Sequence, residues 1–167
     1  GLYMLTQRVL GAPITLVANA LGDVFRQEAS YSYAHNGECL QIYKSTFKKL
    51  IIIASPLFII FYFIAPDLFA IIFGEQWRTA GEYARILTPM FFLRFVTSPL
   101  SSMFMISEKQ KLDLVWQIML FIGTSGALVV GYLFNDVTVA LYLYMISYVI
   151  LFSVNCLMTY VMARGGK

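Results

Sequence analysis

Five long apolar runs separated by short charged connections confine this chain to one solvent, because a bilayer core about 30 Å thick needs about 20 mostly apolar residues per helix. Spans are expected at Leu2–Phe25, Leu50–Phe73, Arg85–Ile106, Leu112–Phe134 and Val137–Met162, together a single transmembrane domain over residues 1–167. Hydrophobic residues make up 59% of the chain and charged residues 13%. Soluble domains run at about 45–50% and 25%. Helices satisfy their own backbone hydrogen bonds in lipid, and the alternation of barrel strands is missing, so the fold class is all-α, a polytopic transmembrane helix bundle.

The chain starts at Gly1, at the edge of a span and without a basic-then-apolar leader, which reads as a fragment of a longer protein. Cys39 falls in a connection and Cys156 in a span, so two cysteines make no disulfide framework. Orientation follows the basic residues. Arg26, Lys44, Lys48 and Lys49, then Lys109 and Lys111, then Arg164 and Lys167 occupy one set of connections and the tail, whereas the alternate connections hold only Arg78 and Arg85. By the positive-inside bias the first set is cytoplasmic, with Gly1 outside and Lys167 inside. The net charge of +3 is thus a topogenic signal, and its scatter excludes a nucleic-acid patch.

Polar residues inside the spans carry the functional information, since a charge facing mid-bilayer lipid costs about 2.5–3.5 kcal/mol on insertion scales. In the first span Arg8, Ala12, Thr15, Asn19 and Asp23 share one helical face, with Pro13 beside it. In the third, Arg94, Thr97, Ser98 and Ser101 do the same between Pro89 and Pro99. Asp113, Gln117 and Thr124 align in the fourth, and Tyr148, Asn155 and Thr159 more weakly in the fifth. The second span, with only Ser55 and Tyr62 as polar residues from Leu50 to Ala65, is the candidate lipid-facing helix. Each feature has a plainer explanation. Arg8 can snorkel, Asn19 and Gln117 can be interhelical glue, Asp23 can be an interfacial charge, and Gly123, Ala127 and Gly131 suit close packing.

Catalytic chemistry is poorly represented. His35 stands alone, and no P-loop, paired zinc-ligand motif or nucleophile elbow occurs, so neither enzyme activity nor a metal or other cofactor is expected. Glu82 at helical spacing from Arg78 and Arg85 reads as an ion-paired outer helix. Two arginine-bearing spans without a general base point to transport of an anion. The candidate cavity residues are Arg8, Thr15, Asn19, Arg94, Ser98, Ser101 and Gln117.

The stretches Gln7-Arg8-Val9-Leu10-Gly11-Ala12-Pro13, Val24-Phe25-Arg26-Gln27-Glu28-Ala29-Ser30, Ala65-Pro66-Asp67-Leu68-Phe69, Phe73 to Arg85, Thr88-Pro89 and Ser98-Pro99-Leu100-Ser101-Ser102 give the chain a family likeness. It resembles the lipid-linked oligosaccharide flippases of bacterial polysaccharide biosynthesis, including O-antigen translocases, in the MOP exporter superfamily. The likeness covers the first two-thirds of the chain; the last two spans match only in hydropathy. It implies a carrier of two six-span bundles in the bacterial inner membrane, of which this chain would be the last five spans. It also implies an undecaprenyl-pyrophosphate-linked repeat unit as substrate, a central cationic cavity, and membrane lipid, the missing N-terminal bundle and the polysaccharide polymerase machinery as partners. A small-molecule or multidrug antiporter of the same superfamily, and a non-transport scaffold of a polysaccharide synthesis complex, remain the alternatives.

Overall fold

A computed structural model of the protein describes the backbone of residues 2–165 and the side chains of residues 19–165. The described chain is a helical membrane bundle: α1 (Leu2–Asn36), α2 (Leu40–Phe73), a 3-10 turn (Glu75–Trp77), α3 (Arg78–Thr97), a second 3-10 segment (Pro99–Ser102), α4 (Met103–Ile106), α5 (Gln110–Leu133) and α6 (Val137–Ala163). Among the described residues, four stretches are long and apolar enough to cross a bilayer, at Leu40–Phe73, Glu75–Ile106, Gln110–Leu133 and Val137–Ala163. The first expected span, Leu2–Phe25, is helical but lies mostly outside the described side chains.

The helices outrun the expected spans. The basic connection between the first two is not an open loop, because α1 continues to Asn36 and α2 begins at Leu40, leaving a link that turns at Gly37 with φ 74°. The physical reason lies in the polar residues: once clear of lipid, Arg26, Gln27, Lys44, Lys48 and Lys49 are good helix formers and nothing breaks the helix. The link is tied to the far end of the chain by Cys39 N–H, which donates to Ala163 O at 2.9 Å.

α3 is the hub. It packs along α2, against α6 and across α1, and α5 pairs chiefly with α6. Phe25, Phe58, Phe69, Leu87, Met90, Phe95 and Leu100 meet in the core. The α2–α3 hairpin closes tightly because Gly81 sits on Pro66: a Cβ at Gly81 would stand 2.5 Å from Pro66 Cα and 2.6 Å from Ala65 O. The α5–α6 turn passes through Asn135 with φ 51° and ends on Asp136, whose carboxylate accepts from Thr138 N–H at 2.7 Å and caps α6.

The second span is only half a lipid-facing helix. Ala54, Phe58, Phe61, Ala65 and Phe69 form a buried stripe, while Ile52, Ile53, Ile59, Ile60 and Phe63 are exposed. α5 presents a comparable apolar surface through Leu114, Ile118, Phe121, Ile122 and Leu133. Contiguous apolar surface of this kind is at home against acyl chains and not against water.

Candidate functional site

The polar side chains of α1 and of the segment following α3 meet in one cleft. Pro99 has no backbone N–H to continue the α-helical ladder, and residues Pro99–Ser102 wind as a 3-10 segment before α4 resumes. α1 crosses this bend at Gly22, where a Cβ would lie 3.4 Å from Pro99 Cα. Around the crossing, Asn19, Asp23, Arg26, Ser98 and Ser102 line a cleft of about 280 Å³. That volume lies just below the usual range of ligand pockets, roughly 300–1,000 Å³.

Asp23 and Arg26 form an ion pair at 3.6 Å on consecutive turns of α1, with both side chains more than half exposed. Such a pair is worth about 0–1 kcal/mol, so Arg26 can exchange this partner for a ligand oxygen at little cost. Arg94 stands one turn before Ser98 on α3, its carbonyl accepting from Ser98 N–H at 2.9 Å. The Arg94 side chain is exposed and, among the described residues, has no ion-pair partner.

The four polar residues expected on one face of the third span separate onto two. Arg94 is exposed and Ser98 opens to the cleft, whereas Thr97 is buried and donates to Leu93 O at 2.8 Å. Ser101 turns to α6, its hydroxyl lying 3.1 Å from both Thr97 O and Asn155 Oδ1. The two faces follow the i, i+4 rows of the helix: Arg94, Ser98 and Ser102 lie on one and Thr97 and Ser101 on the next, and the packing of α6 against the second row draws Ser101 to Asn155.

Behind the cleft a buried polar chain links three elements. Asn155 is fully buried, Thr159 Oγ1 lies 2.9 Å from both Asn155 O and the Tyr43 hydroxyl, and Tyr43 Oη is 3.1 Å from Cys156 O. Among the described residues Asn155 Nδ2 has no hydrogen-bond partner. The weak alignment of Asn155 with Thr159 was the signal for this chain in the sequence; nothing there pointed to Tyr43.

Of the other expected cavity residues, Arg8 and Thr15 lie outside the described side chains. Gln117 is not brought to the cleft. It is exposed on α5, and its amide donates to Asp113 Oδ2 at 2.8 Å. Among the described residues Glu82 makes neither expected ion pair: Arg78 instead binds Asp67 and Glu75, each at 2.5 Å, because the turn at Gly74 brings those carboxylates to it. Among the described residues no group of three His, Cys, Asp or Glu converges to hold a metal ion. The cleft therefore offers guanidinium, hydroxyl and amide donors to an oxyanion beside one carboxylate, without a nucleophile and base in contact.

Residues 1–82 match the model of a family described as "Polysaccharide biosynthesis protein". No curated protein and no solved structure matches the chain.

Proposed function

We propose that this chain is the C-terminal part of a flippase that carries undecaprenyl-pyrophosphate-linked oligosaccharide repeat units from the inner to the outer leaflet of the bacterial inner membrane, and that it is not an enzyme. The observation that carries this reading is the polar cleft between α1 and the Pro99 bend, with exposed Arg94 one turn away, in a chain whose first 82 residues match a polysaccharide biosynthesis family. A pyrophosphate head group cannot enter hydrocarbon without losing its hydration, and guanidinium and hydroxyl donors replace what is lost. Arg26, shared with Asp23, keeps the site from becoming a trap. Release on the far side needs that restraint.

The mechanism is alternating access between this bundle and an N-terminal partner bundle, the prenyl chain staying in lipid while the head crosses. The kinked α3–α4 segment is the element that moves. The first residue lies on the periplasmic side and the last on the cytoplasmic side, with the polysaccharide polymerase machinery acting next on the delivered unit.

Single Arg8→Gln and Arg94→Gln variants of the full-length protein test the reading through surface polysaccharide and lipid-linked precursor. Loss of a charge-assisted hydrogen bond costs about 1.5–3 kcal/mol, so polymer output should fall about tenfold or more and precursor accumulate at unchanged protein level. Normal output from both variants would overturn the proposal. A change in export of a cationic dye would turn it towards an antiporter.

A further inference from the structure

At the opposite end of the bundle from the basic α1–α2 link, α2, α3 and α6 enclose a second cavity of about 310 Å³. Its walls carry Tyr62, Tyr83 and Tyr142 around Glu82 and Arg85. Tyr62 is 43% and Tyr142 48% exposed, so both rings offer a face to an occupant. Among the described residues, none of the three tyrosine hydroxyls has a hydrogen-bond partner, and neither Glu82 nor Arg85 is in an ion pair. Five polar side chains thus line one cavity without pairing with another described residue.

Tyr62 and Pro89 belong also to an apolar groove of about 280 Å³ that continues between α2 and α3 along Phe58, Ile59, Phe63 and Phe92. The polar groups of this groove are spoken for or small: the Thr88 hydroxyl donates to Ala84 O at 2.8 Å. A polar, aromatic cavity and an apolar groove thus share a wall. Together they match an amphiphile, head in one and chain in the other.

We propose that this composite site binds a lipid-borne neutral pyranose, with the sugar against Tyr62 and Tyr142 and the hydrocarbon chain in the groove. Aromatic faces pack on the C–H face of a pyranose, and Glu82 and Arg85 serve as acceptor and donor for its hydroxyls. Glu82 beside Arg85 leaves no net positive charge for a phosphate, which favours a glycan over a phospholipid head group. The assignment rests on the flippase reading for its biological sense, as the place where the glycan of the carried lipid is held on the outer side. Its chemistry stands independently.

Saturation-transfer NMR on the full-length protein in nanodiscs, with hexyl β-glucoside, hexyl β-N-acetylglucosaminide and dihexanoyl phosphatidylglycerol as probes, tests it directly. Transfer to the sugar ring protons of at least one glycoside should be weighted to one ring face and fall about fivefold in Tyr142→Ala. It should persist in Tyr132→Ala, an exposed tyrosine on α5. Glu82→Gln should weaken transfer to the same protons with the fold intact. Transfer that is equal in Tyr142→Ala and wild type, or that favours the phosphatidylglycerol head group, overturns the proposal. Because no transport is read, that failure is distinct from normal polymer output in both the Arg8→Gln and Arg94→Gln variants, which overturns the flippase reading alone.

Discussion

Thr159 shows what one hydroxyl does inside this bundle. It is fully buried on α6 and joins the Tyr43 hydroxyl of α2 at 2.9 Å, a second partner beside Cys156 O for a phenol packed among Phe25, Phe47 and Tyr160. Thr159→Val keeps the shape and removes the bond; thermal unfolding in detergent should report a loss of about 1 kcal/mol. Thr159→Ser should retain most of it. Cys39 is a second residue whose behaviour follows from position, being 2% exposed, with its thiol 3.5 Å from Met103 Sδ and pushed up to about 11 by burial and then by nearby Glu38. About one molecule in a thousand is then thiolate at pH 8, so maleimide should label Cys39 quickly only after denaturation. The sign for stability follows. The raised value favours the neutral thiol in the fold, so its contribution is intact below the ordinary value of 9.0 and is lost as pH rises towards about 11.

At the scale of elements, two glycines with the same spelling have opposite weight. Gly81 lies under the Pro66 backbone, so Gly81→Ala must push α2 from α3 at the hub of the bundle, and overpacking of that kind costs about 1–3 kcal/mol. Gly126 on α5 has nothing within 4 Å of a Cβ, so Gly126→Ala should leave stability unchanged or slightly raised by helix propensity. Folded yield and melting temperature of the two variants in one detergent decide the point. The sequence put Gly123, Ala127 and Gly131 forward as a packing stripe. Gly131 does pack closely, its Cβ position lying 2.7 Å from Ala140 Cα, and Gly123 meets Leu151 and Ser147 at ordinary contact distance. Gly81 was not singled out, because its need for space arises from a helix neighbour and leaves no periodic trace along α3.

For the molecule as a whole, the exposed faces of α2 and α5 define where lipid lies. Ile60 is 58% exposed at the middle of the α2 span, and Ile60→Lys should lower membrane insertion by about 2.5–3.5 kcal/mol, read from glycosylation or protease protection of the nascent chain. Ile60→Leu should be silent. Alternation of basic connections gave the expected topology, and the cleft between α1 and the Pro99 bend lies towards the basic end while the Tyr62–Tyr142 cavity lies towards the other.

Residue order alone determined that the chain is a helical membrane bundle, because burial in hydrocarbon is a property of composition over about 20 residues and needs no partner. It also isolated Asn19, Arg94 and Ser98 as polar exceptions with something to explain. Only tertiary structure decided that Ser98 and Asn19 share a cleft, that Ser101 belongs to Asn155 instead, that Gln117 stays on its own helix, and that Arg78 serves Asp67 and Glu75. Those pairings depend on the crossing of helices far apart in sequence. A helical wheel, drawn for one helix at a time, does not contain the neighbours.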